Sequence, residues 1–279
     1  MPPLEAGIFK SIWKGLSGRG FACLLAVSVS GMTSPVAPND LLPDLVMAEP
    51  QRLEMIVAGN GLQMLRFGTI VWNVGDGPLE IRANQRVGRI MEHIEQRVRT
   101  SDGNDHSYVP TGASIFYSGD GHNHWHVQDF LVVNLYPVPG SAIPATNATR
   151  ELRKIGYCLE DTHRMPEDIK PASAVARADY IWCGDRSSLA VTEGISVGYG
   201  DEYAWWLRHQ SVPVDGLPSG TYRLCLSVNI SGVWLEKDSN ISNNFYRLDL
   251  ALDVPGRKVT VVDEAAETCG PPPRLPASA

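Results

Sequence analysis

The chain has no run of apolar residues long enough for a membrane-spanning helix, which needs about 20 in succession. It has no CxxC pair, which argues against a thiolate zinc site. It has no basic excess, since 24 Lys and Arg stand against 31 Asp and Glu and leave a net charge of −7. Nonspecific nucleic-acid binding rests on basic patches, so that class is disfavoured. No fixed-period repeat is present. Histidine is scarce, with seven in 279 residues. Against that scarcity, His122, His124 and His126 fall within "GHNHWH".

Hydrophobic residues make up 43% of the chain and charged residues 20%, which fits a packed globular core. The N-terminus reads as a targeting segment. Lys10, Lys14 and Arg19 precede the apolar run "FACLLAVSVSG", and small residues suit cleavage after Gly31 or Ala37. Export to a secreted or periplasmic location is therefore expected, without stable membrane insertion. Cys23 lies in the apolar run. Cys158, Cys183, Cys225 and Cys269 remain, an even number that fits two disulfides in an oxidising compartment. Asn147, Asn229 and Asn240 begin glycosylation sequons, relevant only if the host glycosylates.

Residues 1–37 are assigned to the signal peptide and linker, 38–262 to one domain, and 263–279 to a disordered tail. The linker character of "MTSPVAPNDLLP" extends over 32–43. Beyond it, short strand-like runs alternate with turns. "LEMIVAG" and "LQMLRFGTIVWNVG" flank a hairpin turn at Gly59-Asn60-Gly61. "FLVVNLYPV", "TYRLCLSVN" and "FYRLDLALDV" read as buried strands. "IMEHIEQRVR" fits strand or helix, because Ile90, Ile94 and Val98 recur at helical spacing. Residues 159–193 read as a long loop with a helical turn, and loops of that length are often functional. The expected fold is all-β, an antiparallel β-sandwich with long loops.

H-x-H-x-H does not suit a helix, because residues two apart do not share a helix face. On a strand the three imidazoles would line one face, with the outer Cα atoms about 13 Å apart at ~3.3 Å per residue. A bend would gather them around one ion, and Gly119 and Gly121 make a bend easy. Imidazole suits Zn, Cu, Fe and Ni, and three nitrogen ligands with an open position are typical of catalysis. Spacing alone leaves a cupin-like iron site and a zinc hydrolase open.

"GHNHWH" is followed in order by "KIGYCLEDT", "GISVGYGDEYAWWL", "LPSGTYRLCLSVN" and "SNISNNFYR". These strings, with "LLPDLV" and "MLRFGTIVWNVGDGPLEI" before them, resemble the lysyl oxidase family over roughly residues 41–250. The resemblance implies a copper amine oxidase whose quinone, lysine tyrosylquinone, forms from its own lysine and tyrosine. It assigns copper to His122, His124 and His126, and the quinone precursors to Lys154, four residues before Cys158, and Tyr203 in "GDEY". Such an enzyme oxidises lysine side chains or other primary amines with O₂ and releases an aldehyde, ammonia and hydrogen peroxide. Tyr203 is expected on a turn kept flexible by Gly194, Gly198 and Gly200, nearer the histidines than Lys154.

The resemblance is incomplete. The histidine that animal enzymes carry soon after the copper strand is missing from "FLVVNLY", so no general base carries over. Asp129 and Asp201 are the candidates by nearness in sequence. Four cysteines allow three pairings, of which Cys158–Cys183 with Cys225–Cys269 is one. The acidic turn "DSNISNN" with "PDLV" resembles a calcium site, implying Asp44, the Leu45 carbonyl, Asp238, Asn240, Asn243 and Asn244 as ligands. An exported copper-binding module without turnover and another three-histidine metalloenzyme are the alternatives. Only the amine oxidase requires both Lys154 and Tyr203 beside the metal.

Overall fold

The computed structural model describes residues 36–119, 121–143, 149–153, 156–237 and 241–269. The targeting segment, Lys154, Asp238 and Asn240 lie outside the described residues. In chain order the strands are β1 (Asp40–Leu41), β2 (Leu45–Met47), β3 (Gln51–Val57), β4 (Gln63–Asn73), β5 (Leu79–Val87) and β6 (Ile90–Thr100). Next come β7 (His106–Tyr108), β8 (Ile115–Tyr117), β9 (Trp125–Val127), β10 (Leu131–Pro137), β11 (Arg150–Arg153) and β12 (His163–Arg164). The last are β13 (Val191–Ile195), β14 (Tyr199–Tyr203), β15 (Ser211–Pro213), β16 (Gly220–Val228), β17 (Phe245–Asp253) and β18 (Lys258–Ala265). Among the described residues the only helix is a 3₁₀ turn at Ile241–Asn244. The protein is all-β, and every strand pair is antiparallel.

Three sheets share one core. One runs β13-β5-β6-β8-β9, with β1 and β7 on β6. The second runs β11-β10-β16-β17-β18, and the third β12-β14-β4-β15 with β2 and β3 on β4. Alternation decides which side chains meet. Leu131, Val133 and Leu135 of β10 join Tyr222, Leu224 and Leu226 of β16 in the main core. The reverse face carries Tyr136 and Cys225, which pack with Cys269 and Phe245. Each fully buried Leu or Val contributes about 1.5–3 kcal/mol relative to exposure.

Several expectations are refined. "IMEHIEQRVR" is strand, because β6 pairs β5 on one side and β8 on the other, and that pairing overrides its helical spacing. The linker ends sooner than residue 43, since β1 pairs with β6 and Leu42 is buried. The ordered domain runs past residue 262. Strand β18 continues to Ala265, and Cys269 is bonded to Cys225, so 263–269 belong to the fold rather than to a disordered tail. The other disulfide joins Cys158 to Cys183, with Cα atoms 5.7 Å apart. Between those cysteines the chain is a long loop broken by the short strand β12, with one helix-like turn where the Lys170 N–H reaches the Pro166 carbonyl at 3.1 Å.

Candidate metal centre

The three histidines sit on the β8–β9 hairpin, but only His126 lies in a strand. His122 and His124 occupy the connecting loop. That loop bends through Gly119 (φ 64°) and Gly121 (φ 110°), conformations that favour glycine. Its curvature is fixed by main-chain bonds. The His124 N–H reaches the His122 carbonyl at 2.8 Å, the Ser118 N–H reaches the His124 carbonyl at 3.1 Å, and the Ser118 hydroxyl reaches the His122 carbonyl at 3.0 Å. Bending thus replaces the extended spacing expected of a straight strand. One nitrogen from each imidazole lies within 4.8 Å of the other two. Small side-chain rotations bring such a set to the ~2.0–2.1 Å typical of metal–imidazole bonds. Three neutral imidazoles fit a borderline transition metal such as copper or zinc.

Tyr203 stands beside this cluster. Its ring is parallel to that of His122, within 2°, with centroids 6.4 Å apart. It ends strand β14, where it pairs with Thr69, and is 5% exposed. The expected flexible turn is therefore a buried strand. The nearby glycines serve close packing instead: a Cβ on Gly194 would fall 2.3 Å from the Leu79 carbonyl oxygen, and one on Gly200 2.3 Å from the Trp72 ring. The Tyr203 hydroxyl accepts the Cys158 N–H at 2.7 Å. The Tyr157 ring packs 4.1 Å from it, and the Tyr157 hydroxyl shares a 2.5 Å hydrogen bond with Thr69 Oγ1. Gln210 Nε2 donates to both Thr69 Oγ1 and the Tyr203 carbonyl. Burial, then the Asp201 charge, pushes the Tyr203 phenol well above its ordinary pKa.

Lys154 lies outside the described residues. Its neighbour Gly156 is described, and it is locked against the cluster. At φ 134°, a Cβ there would meet His126 Cβ and Nδ1 at 2.5 Å. Tyr157, next along, exchanges two main-chain hydrogen bonds with Val127 of β9.

Of the two candidate bases, Asp201 is 1% exposed and close enough to Tyr157, Tyr203 and Glu193 to raise all three pKa values. Asp129 instead lines a separate cavity with Asn229 and Trp234. Glu193 escaped the sequence reading. It is fully buried, its Oε2 accepts the Leu159 N–H at 3.2 Å, and desolvation followed by Asp201 and Glu160 pushes its carboxyl well up. Asp161 of "CLEDT" is a structural staple. Its carboxylate accepts the N–H groups of Asp179, Tyr180 and Ser196 and the Ser196 hydroxyl, tying the long loop to the β13–β14 turn. Cys158, Glu160 and Cys183 also cluster, but the disulfide removes both thiolates as metal ligands.

The calcium candidates meet in part. Asn243 Nδ2 donates to Asp44 Oδ1 at 2.5 Å, and buried Asn243 Oδ1 has no hydrogen-bond partner among the described residues. Glu236 was missed and lies at the centre of this corner. It accepts the Leu45 N–H, Asn229 Nδ2 and Asn244 Nδ2, and burial raises its pKa. Asn229, 3% exposed and bonded to Glu236 and the Trp234 carbonyl, is closed to glycosylation in the folded chain.

The fold and this centre define an all-β protein with a three-imidazole metal-site candidate backed by a buried tyrosine pair. No family model matches the chain, and no curated protein matches it.

Proposed function

We propose that the protein is an exported copper-dependent amine oxidase that converts primary amines, including lysine side chains, to aldehydes, using a quinone built from Lys154 and Tyr203. The observation that carries this reading is the Tyr203 ring lying parallel to His122 at 6.4 Å, buried beside a three-imidazole cluster. A copper-binding module without turnover has no use for a buried phenol there, and neither does a zinc hydrolase. The Gly156–His126 contact adds to it by tethering the segment that follows Lys154 to the cluster.

His122, His124 and His126 would hold copper. Copper and the quinone together supply the electron sink that lets O₂, water and an amine become aldehyde, ammonia and hydrogen peroxide. The chain's own residues do the rest. Burial and the Asp201 charge keep the Tyr203 hydroxyl protonated until a positive charge at the histidines offsets them. The Cys158 N–H and the Tyr157 ring fix the phenol's orientation. Asp201 is the carboxylate that would act as the base beside it. In the corner around Asp44, Leu45, Asn243 and Asn244, with the added Glu236, the oxygen-rich set suits calcium in a structural role.

Lys154→Ala and Tyr203→Phe test the reading. Each should keep stoichiometric copper, lose phenylhydrazine staining and lose peroxide release from butylamine. Normal amine oxidation by either variant would refute the mechanism. Copper binding without staining or peroxide in the wild type would favour the copper-binding module.

A further inference from the structure

A cavity of about 440 Å³ lies against the histidine hairpin, with Arg86, Arg89, Arg186, Tyr117, Asn123 and Trp125 among its lining residues. It is distinct from the metal centre. Tyr117 pairs with Trp125 and Phe116 with His126, so alternation puts the first pair on this cavity's side and the second on the other. Three arginines line it, from two segments. Arg86 and Arg89 flank the tip of the β5–β6 hairpin, and Arg186 follows Cys183.

Main-chain oxygens position the first two. Arg86 Nη1 donates to the Arg186 and Ser188 carbonyls. Arg89 Nε and Nη2 donate to the Tyr117 carbonyl, and Nη2 also to that of Ser118. Carbonyls hold these groups without neutralising them. Among the described residues none of the three arginines has a carboxylate within ion-pair distance, whereas Arg82, Arg97, Arg99, Arg223 and Arg247 all do. Three uncompensated like charges around one cavity repel each other, and an anion between them removes that repulsion. That such a site occurs in a chain of net charge −7 makes it a local feature rather than a general basic surface.

We propose that this cavity is a binding site for a small oxyanion ligand, a carboxylate or a phosphate. Guanidinium matches both in a two-pronged geometry, and the volume falls in the range of small-molecule sites. The inference does not depend on the amine oxidase reading.

Titration calorimetry on the full chain with succinate and with inorganic phosphate tests it. At least one should bind one-to-one and weaken as NaCl rises from about 20 to 200 mM. Arg186→Gln should weaken that binding about tenfold, the effect of one charge-assisted hydrogen bond. Arg164→Gln, which alters a remote surface arginine, should leave binding unchanged, and so should His124→Ala. Binding of succinate alone identifies a carboxylate ligand, and binding of phosphate alone a phosphorylated one. The proposal is overturned if neither anion binds, the outcome expected if the Asp120 carboxylate, outside the described residues, already neutralises the arginines. It is also overturned if Arg186→Gln binds like the wild type, or if His124→Ala abolishes binding.

Discussion

The histidine loop and the tyrosine strand face each other, yet they are built on opposite principles. Residues 118–119 and 121–124 belong to a bent connection whose shape rests on glycine torsions and main-chain hydrogen bonds. His122 and His124 are only partly buried there. Strand β14 is paired on both sides, by β4 and β12, and Tyr203 is held by the Cys158 N–H and by Tyr157. The loop can adjust its imidazoles to an ion at small cost, whereas the phenol has one position. The two are joined through the Cys158–Cys183 disulfide. Cys158 donates to Tyr203, and the Cys183 carbonyl accepts the Trp125 N–H at the start of β9.

The largest effect should come from the adjustable side. His124→Ala removes one of the three proposed ligands, so copper affinity should fall by more than about 100-fold, beyond the ~10–100-fold typical of partners outside the metal's own ligands. Peroxide release should vanish with it. Equilibrium dialysis with metal analysis checks the first, and full copper retention in this variant would remove the metal assignment. Gly156→Ala sharpens the contrast between loop and strand. Its left-handed torsion and its clash with His126 should together cost about 3 kcal/mol. Gly121→Ala, with positive φ but no atom within 4 Å of the added Cβ, should cost only about 1–2 kcal/mol. Equal losses in urea melts would show that the His126 contact adds nothing.

Much of this was legible in the chain itself. Apolar runs bounded by turn residues mark β10, β16 and β17, and the crowding of His122, His124 and His126 marks the centre. What stayed hidden depends on pairing between distant segments. Gly156 is one glycine among 26 until Val127 and Tyr157 pair and bring it against His126. Strand β6 has helical spacing that only its neighbours β5 and β8 overrule. Glu236 gave no signal beyond a charge near an Asx-rich turn. Glu193 did give one. It stands between Val191 and Ile195 at alternate positions, so a strand there turns all three the same way.

The network behind the phenol allows a smaller test of its rigidity. Thr69→Val removes the hydroxyl that meets both Tyr157 and Gln210 in a buried site. Leaving those groups unsatisfied should cost about 2 kcal/mol, with little change in copper affinity. A copper affinity that fell tenfold would mean that the strand and the loop are coupled more tightly than their separate construction implies.

The smallest effect expected is a change of slope with pH. Glu193 is buried, and its carboxyl is raised by desolvation first, then by the charges of Asp201 and Glu160. A raised folded pKa means that the folded state holds the proton more tightly than the unfolded chain, whose value is near 4.5. The contribution to stability is complete below that unfolded value. It is lost as pH climbs from there towards and through the raised folded value. Glu193→Gln keeps an oxygen to accept the Leu159 N–H and carries no charge at any pH. The variant should therefore match the wild type near pH 4 and gain on it steadily towards pH 8, by about 1 degree in thermal midpoint for each ~0.3–0.5 kcal/mol recovered. Parallel melting curves across that range would mean that Glu193 is already ionised in the folded protein, and that the tyrosine side of the centre tolerates a buried charge its packing gives no reason to expect.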